Sequence, residues 1–295
     1  MIKVIFFGTP NEVVSIAEKL HQTKGIKLLA CVTQPERPAG RKKIITPSPI
    51  KVWAEKKKIP VLTPTEFDIE FTEQLAKISK KIDVFIVAAY GLILPKKVLR
   101  IPKKGSLCLH PSSLPHYRGA SPVQAAMING DRQTGMTIFK MDEKVDHGPI
   151  VSQFEEEIKP EDTAASLYQR LFEASAEVLV TILPEYLKGK IKTRRQDDEE
   201  ATYTKILNKN DGRINWHKTP QEIERFIKAM TPWPGAWTEV ELEQAGRRPL
   251  KKRMKVLSAR LEQDNLLLDE VQLEGKTPTS WKQLQKGYLE VKISQ

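Results

Sequence analysis

Short apolar runs alternate with amphipathic stretches along the first part of the chain. Apolar and β-branched runs predict strands at residues 2–7, 27–33, 61–62, 83–90, 105–110, 136–141 and 150–156. Helical spacing and capping residues predict helices at residues 11–22, 49–57, 121–129 and 162–188. This alternation is typical of an α/β fold, here a Rossmann-like, mostly parallel sheet with helices on both faces. Functional residues of such sheets lie beyond the carboxyl ends of the strands.

The pattern changes near residue 189. Residues 189–200 read GKIKTRRQDDEE, contain almost no apolar side chain and predict a linker. An amphipathic helix is predicted at residues 219–230, and β-like runs follow at residues 236–242, 254–261 and 266–271. We therefore predict a first domain at 1–189, a linker at 190–208 and a small β-rich second domain at 209–295. The second domain is expected to form a reduced barrel of the OB type.

The net charge of the chain indicates what kind of partner it binds. The chain has 295 residues and a formal net charge of +11, which favours a polyanionic partner such as nucleic acid. The alternative is a solubility bias with no partner behind it. The most basic segment, residues 247–255, favours phosphate contacts from Arg247, Arg248, Lys251, Lys252 and Arg253.

Several classes are disfavoured by what the sequence lacks. The apolar runs are shorter than the roughly 18 residues of a membrane span, and the N-terminal run is too short for a signal peptide. Only two cysteines occur, which fits a reducing cytoplasm. The Cys, His and carboxylate residues do not have metal-ligand spacing, so we expect no metal. We expect a soluble cytoplasmic monomer.

The densest cluster of reactive side chains lies between Cys108 and His147. His110 ends a predicted strand and precedes a rigid loop of sequence PSSLP, and Asp146 follows farther along the chain. A histidine at a strand end beside a carboxylate suits proton transfer near neutral pH. The alternative is a loop histidine whose ring is satisfied by the backbone.

Several motifs resemble those of the folate-dependent formyltransferases. They are GSLCLHPSSLPHYRGASP at 105–122, NGDRQTGMTI at 129–138 and MDEKVDHG at 141–148. The segment TQPERPAGR at 33–41, continued by TPSP at 46–49, is similar to the methionyl-tRNA formyltransferase family in particular. Further matches occur at residues 8–10, 89–95, 211–216, 232–237 and 273–276. The resemblance thus runs from the first predicted strand to nearly the end of the chain.

The resemblance implies a reaction and a set of site residues. The formyl group of 10-formyltetrahydrofolate is transferred to the α-amino group of methionine on charged initiator tRNA. His110 and Asp146 match the catalytic residues of the family, and Cys108 stands at the position of a third. The residues expected near the folate are Tyr90, Gly91, Leu92, Ile93, Leu94, Pro95, Ser112, Ser113, Leu114, Pro115, Met141 and Asp142. The basic loop expected against the tRNA acceptor end contributes Arg37, Arg41, Lys42 and Lys43.

Cys108 departs from the family pattern, which has asparagine two residues before the histidine. An amide donates a good hydrogen bond to a developing oxyanion, whereas a thiol is a weak donor. Loss of one such donor typically lowers the rate about 10²–10³-fold. Three interpretations stay open: a slower enzyme, an inactive relative that still binds tRNA or folate, and an isolated substitution at this site.

Two other classes of function compete with formyl transfer to tRNA. The first is a relative that acts on a small molecule, either an N-formyltransferase for sugar nucleotides or amines or a 10-formyltetrahydrofolate hydrolase. Such relatives share the HPSxLP and aspartate elements but lack the basic PERPAGR loop and the basic second domain. The second is a tRNA-binding protein without activity, an interpretation that rests only on Cys108.

Overall fold

The computed structural model describes residues 1–39, 43–245 and 248–293. The predicted tRNA-contacting residues Arg41, Lys42 and Arg247 lie outside these ranges. No helix in the described part of the chain is long and apolar enough to cross a membrane.

Packing divides the chain into two compact units. Unit 1 consists of Met1–Gly119, Thr134–Glu156 and Tyr168–Tyr203. Unit 2 consists of Ala120–Gln133, Glu157–Leu167 and Thr204–Gln295. Two segments of unit 2 therefore come from within the predicted first domain, and most of the predicted linker packs in unit 1. The domain ranges 1–189 and 209–295 stay a prediction of how the chain is organised.

The strands up to the end of unit 1 are, in chain order, β1 (Ile2–Gly8), β2 (Ile26–Val32), β3 (Arg37–Ala39), β4 (Ile44–Thr46), β5 (Val61–Leu62), β6 (Val84–Ala88), β7 (Ser106–His110), β8 (Arg118–Gly119), β9 (Gln133–Lys140), β10 (Ile150–Glu157) and β11 (Tyr203–Thr204). The strands of the large sheet lie close to the apolar runs of the sequence, whereas the short strands β3, β4, β8 and β11 were not predicted. The helices in the same part of the chain are α1 (Val14–Gln22), α2 (Pro49–Lys56), α3 (Ile69–Ile78), α4 (Lys96–Leu99), α5 (Pro122–Asn129) and α6 (Ala164–Leu187).

Unit 1 is built on a seven-stranded sheet in the order β10-β9-β7-β6-β1-β2-β5. The strands β7, β6, β1, β2 and β5 are parallel to their neighbours, and β9 runs antiparallel to β7. This confirms the predicted Rossmann-like, mostly parallel sheet. The chain moves outward from β1 to β5 and returns to place β6 on the other side of β1. Their carboxyl ends therefore form a topological switch point, where open α/β sheets bind ligands.

The core of unit 1 explains why β1 and β6 lie at the centre of the sheet. All five residues of β6 are buried, as expected of a strand covered on both faces. The rings of Phe7 and Phe85 lie 4.8 Å apart, and Phe7 meets Tyr90 edge-on at 5.4 Å. This aromatic contact holds the end of β1 against the loop after β6, at the carboxyl ends of the two strands that form the switch point.

Unit 2 contains the antiparallel part of the fold. Its helices are α5, α7 (Pro220–Ala229) and α8 (Trp281–Lys286). The strands of its sheet are β12 (Ala236–Glu243), β13 (Leu250–Glu262), β14 (Asn265–Leu273), β15 (Thr279–Ser280) and β16 (Glu290–Ile293). The sheet order is β15-β14-β13-β12-β16. This confirms a β-rich second part. Among the described residues β15 and β16 lie at the edges of this sheet. The reduced barrel of the OB type stays a prediction.

Candidate active site

His110 is the last residue of β7, at the edge where the parallel strands end. Its Nε2 atom lies 2.9 Å from the main-chain oxygen of Tyr117, and its Nδ1 atom lies 3.5 Å from Oδ2 of Asp146. Because a carbonyl oxygen only accepts hydrogen bonds, we assign the proton of the neutral ring to Nε2. The lone pair of Nδ1 then lies beside the carboxylate. The pair can take up a proton at Nδ1 and stabilise the resulting imidazolium.

Asp146 is held in an unusual conformation by its surroundings. Its φ angle is +48°, in the left-handed region, which is sparsely populated for residues other than glycine. The main-chain N–H of Gly119 donates to Oδ2 at 2.7 Å, and the side chain of Gln196 donates to the Asp146 carbonyl at 2.9 Å. A Cβ atom on Gly148 would lie 1.8 Å from the carbonyl oxygen of Lys140, so this position requires glycine. The path of the loop is thus fixed on both sides of the carboxylate.

The loop after His110, residues 111–115, is fastened to the neighbouring strands. The hydroxyl of Thr137 donates to the Ser112 carbonyl at 2.6 Å and accepts from the Leu114 N–H at 3.1 Å. The Gln153 amide donates to the Leu114 carbonyl at 2.9 Å. Among the residues expected near the folate, Ser112, Leu114 and Pro115 are therefore buried, whereas Ser113 is half-buried.

The loop after β6 lies at the same edge of the sheet as His110, because β6 and β7 are parallel neighbours. The Tyr90 carbonyl accepts hydrogen bonds from Thr9 at 2.9 Å and from Gln34 at 2.8 Å. Burial raises the pKa of the Tyr90 hydroxyl to about 12, and no hydrogen-bond partner is found for it among the described residues. Of the other predicted residues in this loop, Leu94 is buried, Leu92 and Pro95 are half-buried, and Gly91 and Ile93 are exposed.

Cys108 lies two residues before His110 on β7, so the two side chains are on the same face of the sheet. The strand neighbours of Cys108 are Val87 and Phe139, and the residue is half-buried. Burial, together with the negative charge of Asp146, raises the pKa of the thiol well above its usual value. Cys108 is therefore a neutral thiol at physiological pH and a poor nucleophile.

A polar cluster that was not predicted from the sequence lies beside Asp146. A cleft of about 280 Å³ is lined by Arg118, Lys144, Val145, His147, Asp198 and Tyr203. The ring of His147 lies between Asp142 (Nδ1 to Oδ2, 2.6 Å) and Asp198 (Nε2 to Oδ2, 3.3 Å). Asp142 and the adjacent Met141 are half-buried. In the sequence, this cluster is indicated only by the high content of polar and charged residues at 189–200, which we interpreted as a linker.

The predicted tRNA-contacting residues fall into two separate groups. Arg37 on β3 and Lys43 just before β4 are exposed on a hairpin that the sequence analysis treated as an irregular loop. The second group follows the start of β13: Arg248, Lys251 and Arg253 are exposed, and Lys252 is half-buried. The guanidinium carbon of Arg253 lies 3.8 Å from the centre of the Trp237 ring.

Acidic residues reduce the charge of the second group. Lys251 lies directly opposite Glu241 across the β12–β13 pairing, and Arg253 lies opposite Glu239. Directly opposed residues on neighbouring strands share one face of the sheet, so each carboxylate offsets part of the positive potential there. Arg248 precedes the paired region.

The described residues contain no cluster of three or more His, Cys, Asp and Glu side chains placed to hold a metal ion.

Comparisons with known proteins identify the class to which this site belongs. The Formyl transferase family matches residues 2–183, and the C-terminal domain of the same family matches residues 206–289. The chain is 41% identical to the methionyl-tRNA formyltransferase of Bacillus cytotoxicus over 238 residues, which are 81% of this chain and 75% of that one.

Solved structures share the fold. A methionyl-tRNA formyltransferase from Clostridium thermocellum superposes with a TM-score of 0.62 at 16% identity, covering 93% of this chain and 99% of that one. An N-formyltransferase from Helicobacter canadensis, in complex with folinic acid and dTDP-3-aminofucose, gives a TM-score of 0.61 at 19% identity, covering 94% and 100% of the two chains.

The fold and the matched domains define a formyl-transferring enzyme. The chain belongs to the formyl transferase family, in the branch of the methionyl-tRNA formyltransferases.

The environment of Cys108 predicts slow alkylation. At pH 8 iodoacetamide should modify Cys108 at least ~10-fold more slowly than free cysteine, because a raised pKa leaves little thiolate. Replacing Asp146 by asparagine removes one cause of the raised pKa and should accelerate modification of Cys108, measured by peptide mass spectrometry. Asp142→Asn, in the same loop, is the matched control and should leave the rate unchanged. Equal rates in the wild type and Asp146→Asn would contradict the assigned influence of this carboxylate.

Proposed function

We propose that this enzyme transfers the formyl group of 10-formyltetrahydrofolate to the α-amino group of methionine carried by initiator tRNA. The observation that carries the proposal is the pair formed by the buried His110, at the carboxyl end of β7, and the half-buried Asp146, in a chain with both formyltransferase domains. The identity of 41% with a methionyl-tRNA formyltransferase supports the choice of acceptor. We also propose that the enzyme acts as a monomer in the cytoplasm.

Proton transfer is the first task of the proposed site. The folate co-substrate supplies the formyl group as an acyl donor. As the amine of methionine attacks the formyl carbon, a new C–N bond forms and the nitrogen loses a proton. His110 accepts this proton at Nδ1, and Asp146 stabilises the imidazolium. Breaking the bond between the formyl carbon and the folate nitrogen returns a proton to that nitrogen, for which His110 is the donor.

The second task of the site is to stabilise the oxyanion, and for this task the chain has only a weak hydrogen-bond donor. Cys108 shares a face of β7 with His110 and takes the place of the expected asparagine. Its raised pKa keeps it a neutral thiol, which repels a developing oxyanion less than a thiolate does but donates only a weak hydrogen bond. We propose an active enzyme whose rate is reduced about 10²-fold by this residue, within the range for loss of one oxyanion donor.

The folate is proposed to lie between the loop after β6 and the two loops that flank His110. Support comes from the switch point at the ends of β1 and β6. The buried hydroxyl of Tyr90 is a polar group that a ligand can satisfy. The exposed side chain of Ile93, of which 80% is accessible, offers apolar surface at the same loop.

The tRNA is proposed to contact both basic groups. Arg37 and Lys43 lie on the hairpin, and Arg248, Lys251, Lys252 and Arg253 form the β13 group. Arg41, Lys42 and Arg247, which lie outside the described residues, stay predicted tRNA contacts. The net charge of +11 supports a polyanionic acceptor over a small neutral one. Phosphate contacts of this type provide affinity and register rather than base specificity.

Substitution of the proton-transfer pair tests the proposed reaction. His110→Asn and Asp146→Asn should each lower the rate of formylation of charged initiator tRNA by at least ~10²-fold, because each removes part of the general base. His217→Asn, at an exposed position, should retain the wild-type rate. The assay follows radioactive formyl transfer from 10-formyltetrahydrofolate. A native rate in either of the first two variants, or faster transfer by the wild type to an amino-sugar nucleotide, would refute the proposal.

Salt dependence tests the proposed tRNA contacts. With about four phosphate contacts, affinity for initiator tRNA should fall on the order of 10²-fold between 50 and 200 mM salt. Replacing Lys251 and Lys252 together by glutamine should reduce the slope of log affinity against log salt by about one to two. The matched control is the exposed pair Lys80 and Lys81, whose replacement by glutamine should leave the slope unchanged. A flat salt profile of the wild type is the outcome that this proposal cannot accommodate.

A further inference from the structure

We propose that Gln196 is a positioning residue for catalysis: it fastens the Asp146 loop to the buried guanidinium of Arg118. The inference rests on the proposed role of Asp146, through which Gln196 acts. Gln196 lies in the stretch that composition alone predicts to be a linker, and the matches to the formyltransferase domains, residues 2–183 and 206–289, leave it out.

The buried side chain of Arg118 requires hydrogen-bond partners such as Gln196. It is the largest of the fully buried side chains, with only 2% of the residue exposed. A buried guanidinium is tolerated when hydrogen bonds and an opposite charge replace its lost hydration. Arg118 Nη2 donates to Asp198 Oδ1 at 2.8 Å, and Nη1 donates to the Tyr203 hydroxyl at 3.2 Å. The hydrogen bond from Arg118 is the first cause of the lowered pKa of Asp198.

Gln196 links this guanidinium to the catalytic loop through both ends of its amide. Its Oε1 accepts from Arg118 Nε at 3.1 Å and from Nη2 at 2.9 Å. Its Nε2 donates to the carbonyl oxygens of Asp146 at 2.9 Å and Gly148 at 2.8 Å. The amide therefore uses two acceptor and two donor positions, its full capacity. A flipped amide would direct donors at a guanidinium and an acceptor at two carbonyls, so the orientation is unambiguous.

The contacts close a ring around Asp146. The side chain of Arg118 holds Gln196, which holds the carbonyl of Asp146. Gly119, which follows Arg118 in the chain, donates its N–H to the Asp146 carboxylate at 2.7 Å. Asp146 has a φ angle of +48°, a conformation that persists only when its surroundings determine it. Because the carboxylate must face His110 Nδ1, a loop freed at its carbonyl would misplace the group that stabilises the imidazolium.

Gln196→Glu isolates the positioning role. Glutamate keeps the acceptor atoms that Arg118 requires, so the buried guanidinium remains paired. It replaces the donating nitrogen by an oxygen that faces two carbonyl oxygens, so the hold on the loop is lost. Gln196→Met, which removes both interactions, is the second variant, in case a further charge near Asp198 prevents folding. Glu200→Gln, at an exposed position in the same stretch, is the control.

Two readouts separate positioning from general stability. The Gly119 amide hydrogen reports directly on the Asp146 carboxylate, and its exchange with solvent, measured by NMR, should be at least ~10-fold faster in Gln196→Glu. Amides of β1 should exchange as in the wild type. In formylation assays kcat should fall at least ~10-fold, while KM for tRNA and for folate stays within about twofold. Glu200→Gln should change neither quantity.

The outcomes are distinguishable from those of the proposed reaction. Faster Gly119 exchange together with a fall in kcat alone supports the positioning role. Unchanged Gly119 exchange in both Gln196 variants overturns it, whatever the acceptor of the enzyme proves to be. Faster exchange with unchanged kcat overturns it as well, since the loop would then be free without consequence for the reaction. If the wild type does not formylate tRNA, the proposed function fails, and the Gly119 measurement still decides whether Gln196 holds Asp146.

Discussion

A buried positive charge has to be neutralised and hydrogen-bonded, and around Arg118 this requirement organises the candidate site. The guanidinium contacts Gln196, Asp198 and Tyr203, which all lie in the segment that follows α6. That segment reaches the Asp146 loop, while the backbone next to Arg118 reaches the Asp146 carboxylate. The pairing of one guanidinium thus connects β8, the segment after α6 and the loop between β9 and β10. His110 lies at the end of β7, and its distance from Asp146 depends on the hydrogen bonds that Arg118 and Gln196 make.

Burial and the negative charge of the same carboxylate together raise the pKa of the Cys108 thiol. A thiol beside a negative charge and largely surrounded by protein keeps its proton, because both effects disfavour the thiolate. This argues against a cysteine nucleophile and against a repulsive thiolate at the proposed oxyanion position. What remains is a weak neutral donor next to a complete proton-transfer pair. In the proposed mechanism this combination is an intact base beside a weakened oxyanion site, which is why we propose an active but slower enzyme.

The sequence predicted the elements whose patterning is strong. The run at β6 and the end of β7 at His110 follow from apolar periodicity, and the Rossmann-like sheet follows from alternation. Helix α3 was missed, because its apolar positions Phe71 and Leu75 stand among charged residues, although Asp68 caps it. The antiparallel direction of β9 depends on pairing distant in sequence. Gln196 was missed for a related reason: its partners lie 48 to 78 residues away, and a polar stretch that pairs with a buried arginine has the composition of a linker.

The central claim is that this site performs formyl transfer with a thiol in the place of a stronger oxyanion donor. The most direct measurement compares the rate of formylation of charged initiator tRNA by the wild type and by Cys108→Asn under saturating 10-formyltetrahydrofolate. We expect an active wild type and a variant that is at least ~10-fold faster, because an amide donates a better hydrogen bond to the oxyanion. A variant equal to or slower than the wild type would contradict the account. Inactivity of both proteins would refute formyl transfer to tRNA itself.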